Sequence, residues 1–191
     1  MTALDNDAFL VLNAAHLNKM AGPEAIVAAT RLDAGAVGKI LDQAERDGMG
    51  QRVGAQFLLF PEGSKAVLDH YNRTYGELRM SPELQQWYER FEPLNTQFIK
   101  HVTDWQSSGG DDGSQAKLIK SVERLMKMID GLVTQIPRYT EYVRRFGDSV
   151  ARSDQGNKDY ICSPMVDSIH NIWFEFHEDI LSVLGRPRDT A

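Results

Sequence analysis

The residues most able to do chemistry lie near the end of the chain, where Val166, His170, Trp173, His177, Ile180 and Leu184 follow at spacings of four, three, four, three and four. On a helix that spacing makes one stripe, so it predicts that both histidines face a helical core. Asp167 stands three residues before His170, and Glu178 follows Phe174 by four on a neighbouring line, which puts carboxylates beside the histidines. His101, four residues before Trp105, is a third candidate for an inward imidazole. Imidazole titrates near neutral pH, so His170 or His177, oriented by Asp167 or Glu178, would suit acid–base chemistry on a small molecule. The same residues suit hydrogen-bonded core positions, which is the commoner use of such histidines. A metal is the weakest of the three readings. His170 and His177 stand two turns apart, about 10 Å along a helix, whereas one ion is more readily held by an i, i+3 or i, i+4 pair. No metal is predicted, and the sequence indicates no particular cofactor.

Aromatic residues concentrate in the same half of the chain. Most must be core, but Trp173, His170, His177, His101, Trp105 and Tyr142 are the set that would line a pocket for a small apolar or aromatic ligand. Arg138, Arg144 and Arg145 form one basic cluster and Arg186 and Arg188 another; each could meet an anion, although a solvated face is the usual role of such clusters. The chain has no phosphate-binding Gly-x-x-x-x-Gly-Lys loop, no Gly-x-Ser-x-Gly, no His-Glu-x-x-His and no cysteine pair. Cys162 is the lone cysteine, expected to be an inert thiol in a reducing, cytoplasmic setting.

The elements that must position these residues divide into two units, 1–80 and 81–191. The whole has 191 residues, 42% of them hydrophobic and 25% charged, enough for a buried core and unlike a disordered or disulfide-stapled chain. No apolar run approaches the roughly 18 residues of a membrane span, and Met1 to Phe9 does not read as an export signal, so no membrane partner is expected. In the first unit, periodicity predicts a helix over 7–20, a short one over 24–30, and a longer one capped by Asp33 and stopped at Gly48. A strand pair then follows over 51–60, a polar break at Pro61-Glu62-Gly63, and a helix over 64–75.

That order is the order of a winged helix-turn-helix, and Ala25 to Tyr71 resembles that family. Leu41 to Met49 resembles the end of a recognition helix. Phe60-Pro61-Glu62-Gly63-Ser64 resembles the Thr-Pro-Glu-Gly exit from the wing in MarR-type regulators, with Phe60 in place of Thr. The resemblance covers residues about 5–80. It implies a fold, a homodimer, and DNA contacts through Lys39, Arg46 and Arg52. Charge argues against DNA: the chain carries a net −6, and from Asp33 to Asp47 only Lys39 and Arg46 stand against Asp33, Asp42, Glu45 and Asp47. A protein-docking or dimerising winged helix, or one wall of a ligand site, is the other use.

The second unit reads as a four-helix bundle. A helix begins at Ser81-Pro82, with a kink or break expected near Phe91 because Pro93 follows. Ser107 to Ser114 reads as a flexible loop, followed by helices over 115–136, 138–150 and 163–184. Asp167 to Asp179, with Phe91 to Asn95 and Trp105-Gln106, is similar to a helical accessory region of actinobacterial proteins related to pyruvate phosphate dikinases. That resemblance carries no active-site residue; it implies an accessory subunit of a phosphotransfer enzyme as a third possibility. The fold expected is mainly α, a winged helix-turn-helix followed by a helical bundle. The leading function is a ligand-responsive regulator whose bundle binds a small apolar or aromatic molecule, and the alternative is an enzyme using His170 and His177.

Overall fold

The computed structural model describes residues 3–187; Arg188 of the second basic cluster lies outside them. The chain is mainly helical and falls into two compact units, one made of 1–79 with 177–191 and the other of 80–176. The sequence pattern had assigned all of the last helix to the second unit.

In the first unit the order is α1 (Asn6–Leu17), β1 (Met20–Ala21), α2 (Pro23–Thr30), α3 (Ala34–Arg46), β2 (Gly50–Val53), β3 (Gln56–Leu59) and α4 (Pro61–Tyr75). Asp5 caps α1 by accepting from the Ala8 N–H, and Asp33 caps α3 by accepting from the Ala36 N–H. Between α2 and α3 the chain turns at Arg31, whose φ of 58° is unusual for a residue with a Cβ and whose N–H closes α2 onto the Val27 carbonyl. The strands form one antiparallel sheet in the order β1-β3-β2, with Met20 opposite Leu58 and Arg52 opposite Phe57. Phe9, Leu12, Ile26, Val37, Leu41, Phe57, Val67 and Tyr71 fill the core. The polar break expected at Pro61-Glu62-Gly63 is instead the first turn of α4, with Pro61 at its start, where a missing N–H costs nothing. Gly63 is needed there: a Cβ on it would run into the Met49 carbonyl oxygen and the Leu59 side chain. The Met49 carbonyl accepts from the Phe60 N–H at 2.8 Å and so ties the hairpin's entry to its exit.

The second half of the last helix, α9 (Ile169–Leu184), packs with this unit. The guanidinium of Arg79 donates to the carbonyls of Val183 and Ser182 in the last turn of α9 at 2.6 and 2.8 Å, the latter also accepting from the Gly185 N–H, and to the Asn72 side chain at 2.6 Å. Asp179 is fully buried, and the chain Tyr71 to Asn13 to Asp179 links α4, α1 and α9 by hydrogen bonds of 2.9 and 3.5 Å.

The second unit holds α5 (Pro82–Ser107), α6 (Asp112–Asp130), α7 (Thr140–Asp154), the short α8 (Asp159–Cys162) and the first half of α9. Several expectations are corrected here. No break occurs near Phe91: α5 is one 26-residue helix running through Pro93, which lies on the exposed side while Phe91, Leu94 and Phe98 are buried. The flexible linker shrinks to 108–111, because Asp111 accepts from the N–H groups of Gly113 and Ser114 and starts α6 at once. α6 ends at Asp130 rather than near 136. Ser163-Pro164 does not open the last helix; the Asn171 amide donates to the carbonyls of Ser163 and Val166, holding a turn, and α9 starts after Ser168, whose Oγ accepts from the Asn171 N–H. No helix among the described residues is long and apolar enough to cross a membrane.

Candidate functional site

The two histidines lie at the edge of the buried side of α9 rather than within it. On α9 the buried side is Ile169, Ile172, Trp173, Phe176 and Ile180, while His170 is exposed and His177 half-buried. His170 is still desolvated enough by its surroundings to hold its pKa below the ordinary value, an effect the Asn171 hydrogen bond partly offsets. Asp167 is committed elsewhere. Both its oxygens accept from Arg145, at 2.6 and 2.9 Å, and Arg145 also donates to Glu175 at 2.7 Å. Arg145 is 6% exposed. Burial works against its charge, but Glu175 and Asp167 outweigh it and hold the guanidinium pKa well above the ordinary value. The basic cluster read from sequence is thus split: Arg145 is spent inside the unit, and Arg144 reaches Glu141 and Asp148.

The predicted ligand residues are mostly packing residues. Trp173 stacks on Phe98 with ring centres 3.7 Å apart and donates its indole N–H to Asn95 at 2.8 Å. Tyr142 is wedged edge-on against Tyr139 and Phe176. His101 meets the Ser121 hydroxyl at 3.0 Å, and Trp105 is half-buried with its indole nitrogen unpartnered. The Cys162 thiol is half-buried, and burial pushes its pKa up to about 11, which suits the inert role expected of it. No group of three or more His, Cys, Asp and Glu among the described residues is placed to hold a metal ion.

The more ordered arrangement of functional side chains is on α3. Val37, Leu41 and Ala44 are buried, so at 100° per residue Lys39 and Arg46 project from the opposite side, with Gln43 beside them. All three are exposed. Arg46 donates through Nε and Nη2 to the Gln43 side-chain oxygen Oε1, and the Gln43 side-chain Nε2 donates to Asp47 at 2.9 Å, so the stripe is held in register along the helix. Lys39 has no hydrogen bond or ion pair among the described residues. On the flank toward the hairpin, Arg52 of β2 turns back to Asp42 at 2.6 Å and Glu45 at 3.0 Å, and the Asp42 hydrogen bond is the main reason its pKa is raised. Of the three predicted DNA contacts, Lys39 and Arg46 share a face, whereas Arg52 is bound to helix carboxylates. Gln43 was missed, although its spacing of four from Lys39 and three from Arg46 places it on the same stripe.

A cavity of about 530 Å3 opens on the other flank of α3. Leu4, Ala8, Leu12, Ile40, Ala44 and Met49 give it an apolar lining, and Lys39, Gln43 and Asp47 stand on its α3 wall. Asp5 also lines it, but its carboxylate is taken by the α1 cap. That volume lies within the range of small-molecule sites. None of the six residues predicted to bind a ligand lines it. The chain matches no known protein-family model, no curated protein and no solved structure.

Proposed function

We propose that the chain is a ligand-responsive regulator of the winged helix-turn-helix kind, MarR-like in its first unit, with a helical bundle as its second. In this reading α2 and α3 are the helix-turn-helix, α3 enters the major groove, and β2 and β3 are the wing. The observation that carries it is the order α1-β1-α2-α3-β2-β3 with its β1-β3-β2 sheet, which leaves the Lys39, Gln43 and Arg46 stripe facing away from the core. Lys and Arg suit guanine edges and Gln suits adenine, so the stripe has the chemistry of base readout. Arg52 lowers the cost of the acidic helix by compensating Asp42 and Glu45 in place.

The effector site of this regulator is the cavity beside α3, in place of the bundle interior suggested by the aromatic residues. Lys39 and Gln43 belong both to the cavity wall and to the outward stripe, so an apolar molecule in the cavity and a DNA duplex would compete for the same side chains. For the acid–base enzyme, the pair His170 and Asp167 is not brought together: His170 is exposed and Asp167 serves Arg145.

Selection of bound duplexes from a random pool by the purified chain tests the reading. An enriched motif is expected, with Gln43→Ala and Lys39→Ala each relaxing preference at one or two positions, and a pool that stays random would contradict it. In a second arm, the uncharged apolar fluorophore N-phenyl-1-naphthylamine is expected to displace the enriched duplex. The cavity-filling Ala8→Phe variant should keep DNA binding and lose this displacement; displacement that persists in it would place the effector elsewhere.

A further inference from the structure

A second concavity, of about 490 Å3, lies in the bundle unit between the first turns of α5 and the end of α6. Glu83, Trp87 and Arg90 line it from α5 at spacings of four and three, hence on one face. Lys127, Met128, Leu132 and Gln135 line it from α6 and the turn after it. The Trp87 indole donates to the Met128 carbonyl at 2.8 Å, and Arg124 of α6 reaches Gln97 of α5 at 3.0 Å. Residue number rises along α5 as it falls along α6, so the helices are antiparallel. Lys127 is therefore level with the Arg90 end of the groove and Gln135 with the Glu83 end. The groove is polar at both ends and apolar between, where Trp87 and Leu132 form its floor.

Its charges are unspent. Neither Glu83 nor Lys127 makes a hydrogen bond or ion pair among the described residues, and Arg90 uses only Nε, on the Gln86 carbonyl at 3.3 Å. In a chain of net charge −6, two uncommitted cations converge on one end of one concavity. The carbonyls nearby do not call for them: Met128 of α6 accepts from Trp87 and from the Gly131 N–H, and Leu132 of the following turn accepts from the N–H groups of Gln135 and Ile136.

We propose that this groove binds an elongated small molecule with an acid group at one end and a protonated amine at the other. The carboxylate or other acid sits between Arg90 and Lys127, where a guanidinium offers paired donors. The apolar middle lies over Trp87 and Leu132, and the amine reaches Glu83 and the Gln135 amide oxygen. Glu83 and Arg90 are two turns apart, about 10 Å along the axis, and a contact of about 3 Å at each end leaves room for a ligand whose charged groups are about 5–8 Å apart. The site is independent of α3 and of the cavity beside it.

The probe is 6-aminohexanoate, followed through the Trp87 indole N–H resonance, which Trp87→Phe identifies among the three tryptophans. A saturable shift is expected, weakened roughly tenfold or more in Arg90→Gln and in Glu83→Gln. Hexanoate and hexylamine, each carrying one charge, are expected to bind more weakly than the probe by a similar factor. No shift at tens of millimolar probe overturns the proposal. So does a shift of equal midpoint in wild type and Arg90→Gln, or equal affinity for hexanoate and the probe. Both substitutions are at exposed positions, so the folded state is retained, and an unchanged amide spectrum verifies this.

Discussion

Arg52 on β2 holds Asp42 on α3 at 2.6 Å, and through its second Nη nitrogen holds Glu45 at 3.0 Å. It is the only basic residue from Gly50 to Phe60, so the hairpin directs its one positive charge onto the helix. Both ion pairs are more than a third exposed, so Arg52→Ala is expected to change unfolding free energy by less than about 1 kcal/mol. It uncovers two carboxylates beside the Lys39 stripe, however, and DNA affinity should fall about fivefold, as ~1 kcal/mol for a unit charge near a phosphate in water implies. Chemical denaturation and duplex titration of the same variant separate the two effects.

Gly63 is where backbone meets backbone. Gly63→Ala forces a methyl group against the Met49 carbonyl and Leu59, so either α4 or the hairpin must shift. A loss of about 1–3 kcal/mol is expected in denaturant unfolding, the range for overpacking a tight contact. Gly38, half-buried on α3 with open space where a Cβ would stand, should tolerate alanine.

Arg145 stands between two carboxylates in the second unit. Removing it alone leaves Asp167 and Glu175 uncompensated, and Arg145→Met should cost about 3–5 kcal/mol. Adding Glu175→Gln and Asp167→Asn to that variant should recover much of the loss, because the neutral amides no longer repel. Thermal melts of the single and triple variants report the difference.

Much of the helix pattern is legible because apolar residues recur at the helical period and some helices open on a capping side chain, Asp33 for α3 and Ser81 for α5. The histidines were misplaced because the buried side of α9 is broad: Ile169, Ile172, Trp173 and Phe176 are all inside, and a stripe drawn through His170 and His177 follows its edge. Arg145 looked like a surface charge because Asp167 and Glu175 are 22 and 30 residues away, and nothing local announces such a pairing. Ser163-Pro164 has the chemistry of a helix start, yet the Asn171 side chain fixes a turn there instead. The cavity beside α3 depends on how α1 and α3 come together, which no single-helix pattern encodes.

His16 is half-buried in the first unit, and burial holds its pKa below the ordinary value more strongly than Asp179 raises it. The unfolded chain therefore takes up a proton before the folded one does. Stability is complete above the unfolded pKa near 6.5 and declines as pH falls from there toward the folded value. Melting temperature should drop between about pH 7.5 and about pH 5.5, and His16→Gln should make that drop smaller. A drop of unchanged size would assign the acid sensitivity to other groups.

In the proposed complex α3 meets DNA through Lys39 and Arg46. Fluorescence anisotropy of the purified chain with its selected duplex, measured from about 50 to 200 mM salt, tests it most directly. The logarithm of affinity is expected to fall linearly with the logarithm of salt, and Lys39→Ala and Arg46→Ala, as losses of base contacts, are each expected to weaken binding of the selected duplex about tenfold. Absence of binding at about 50 mM salt, or an affinity that neither substitution changes, overturns the assignment.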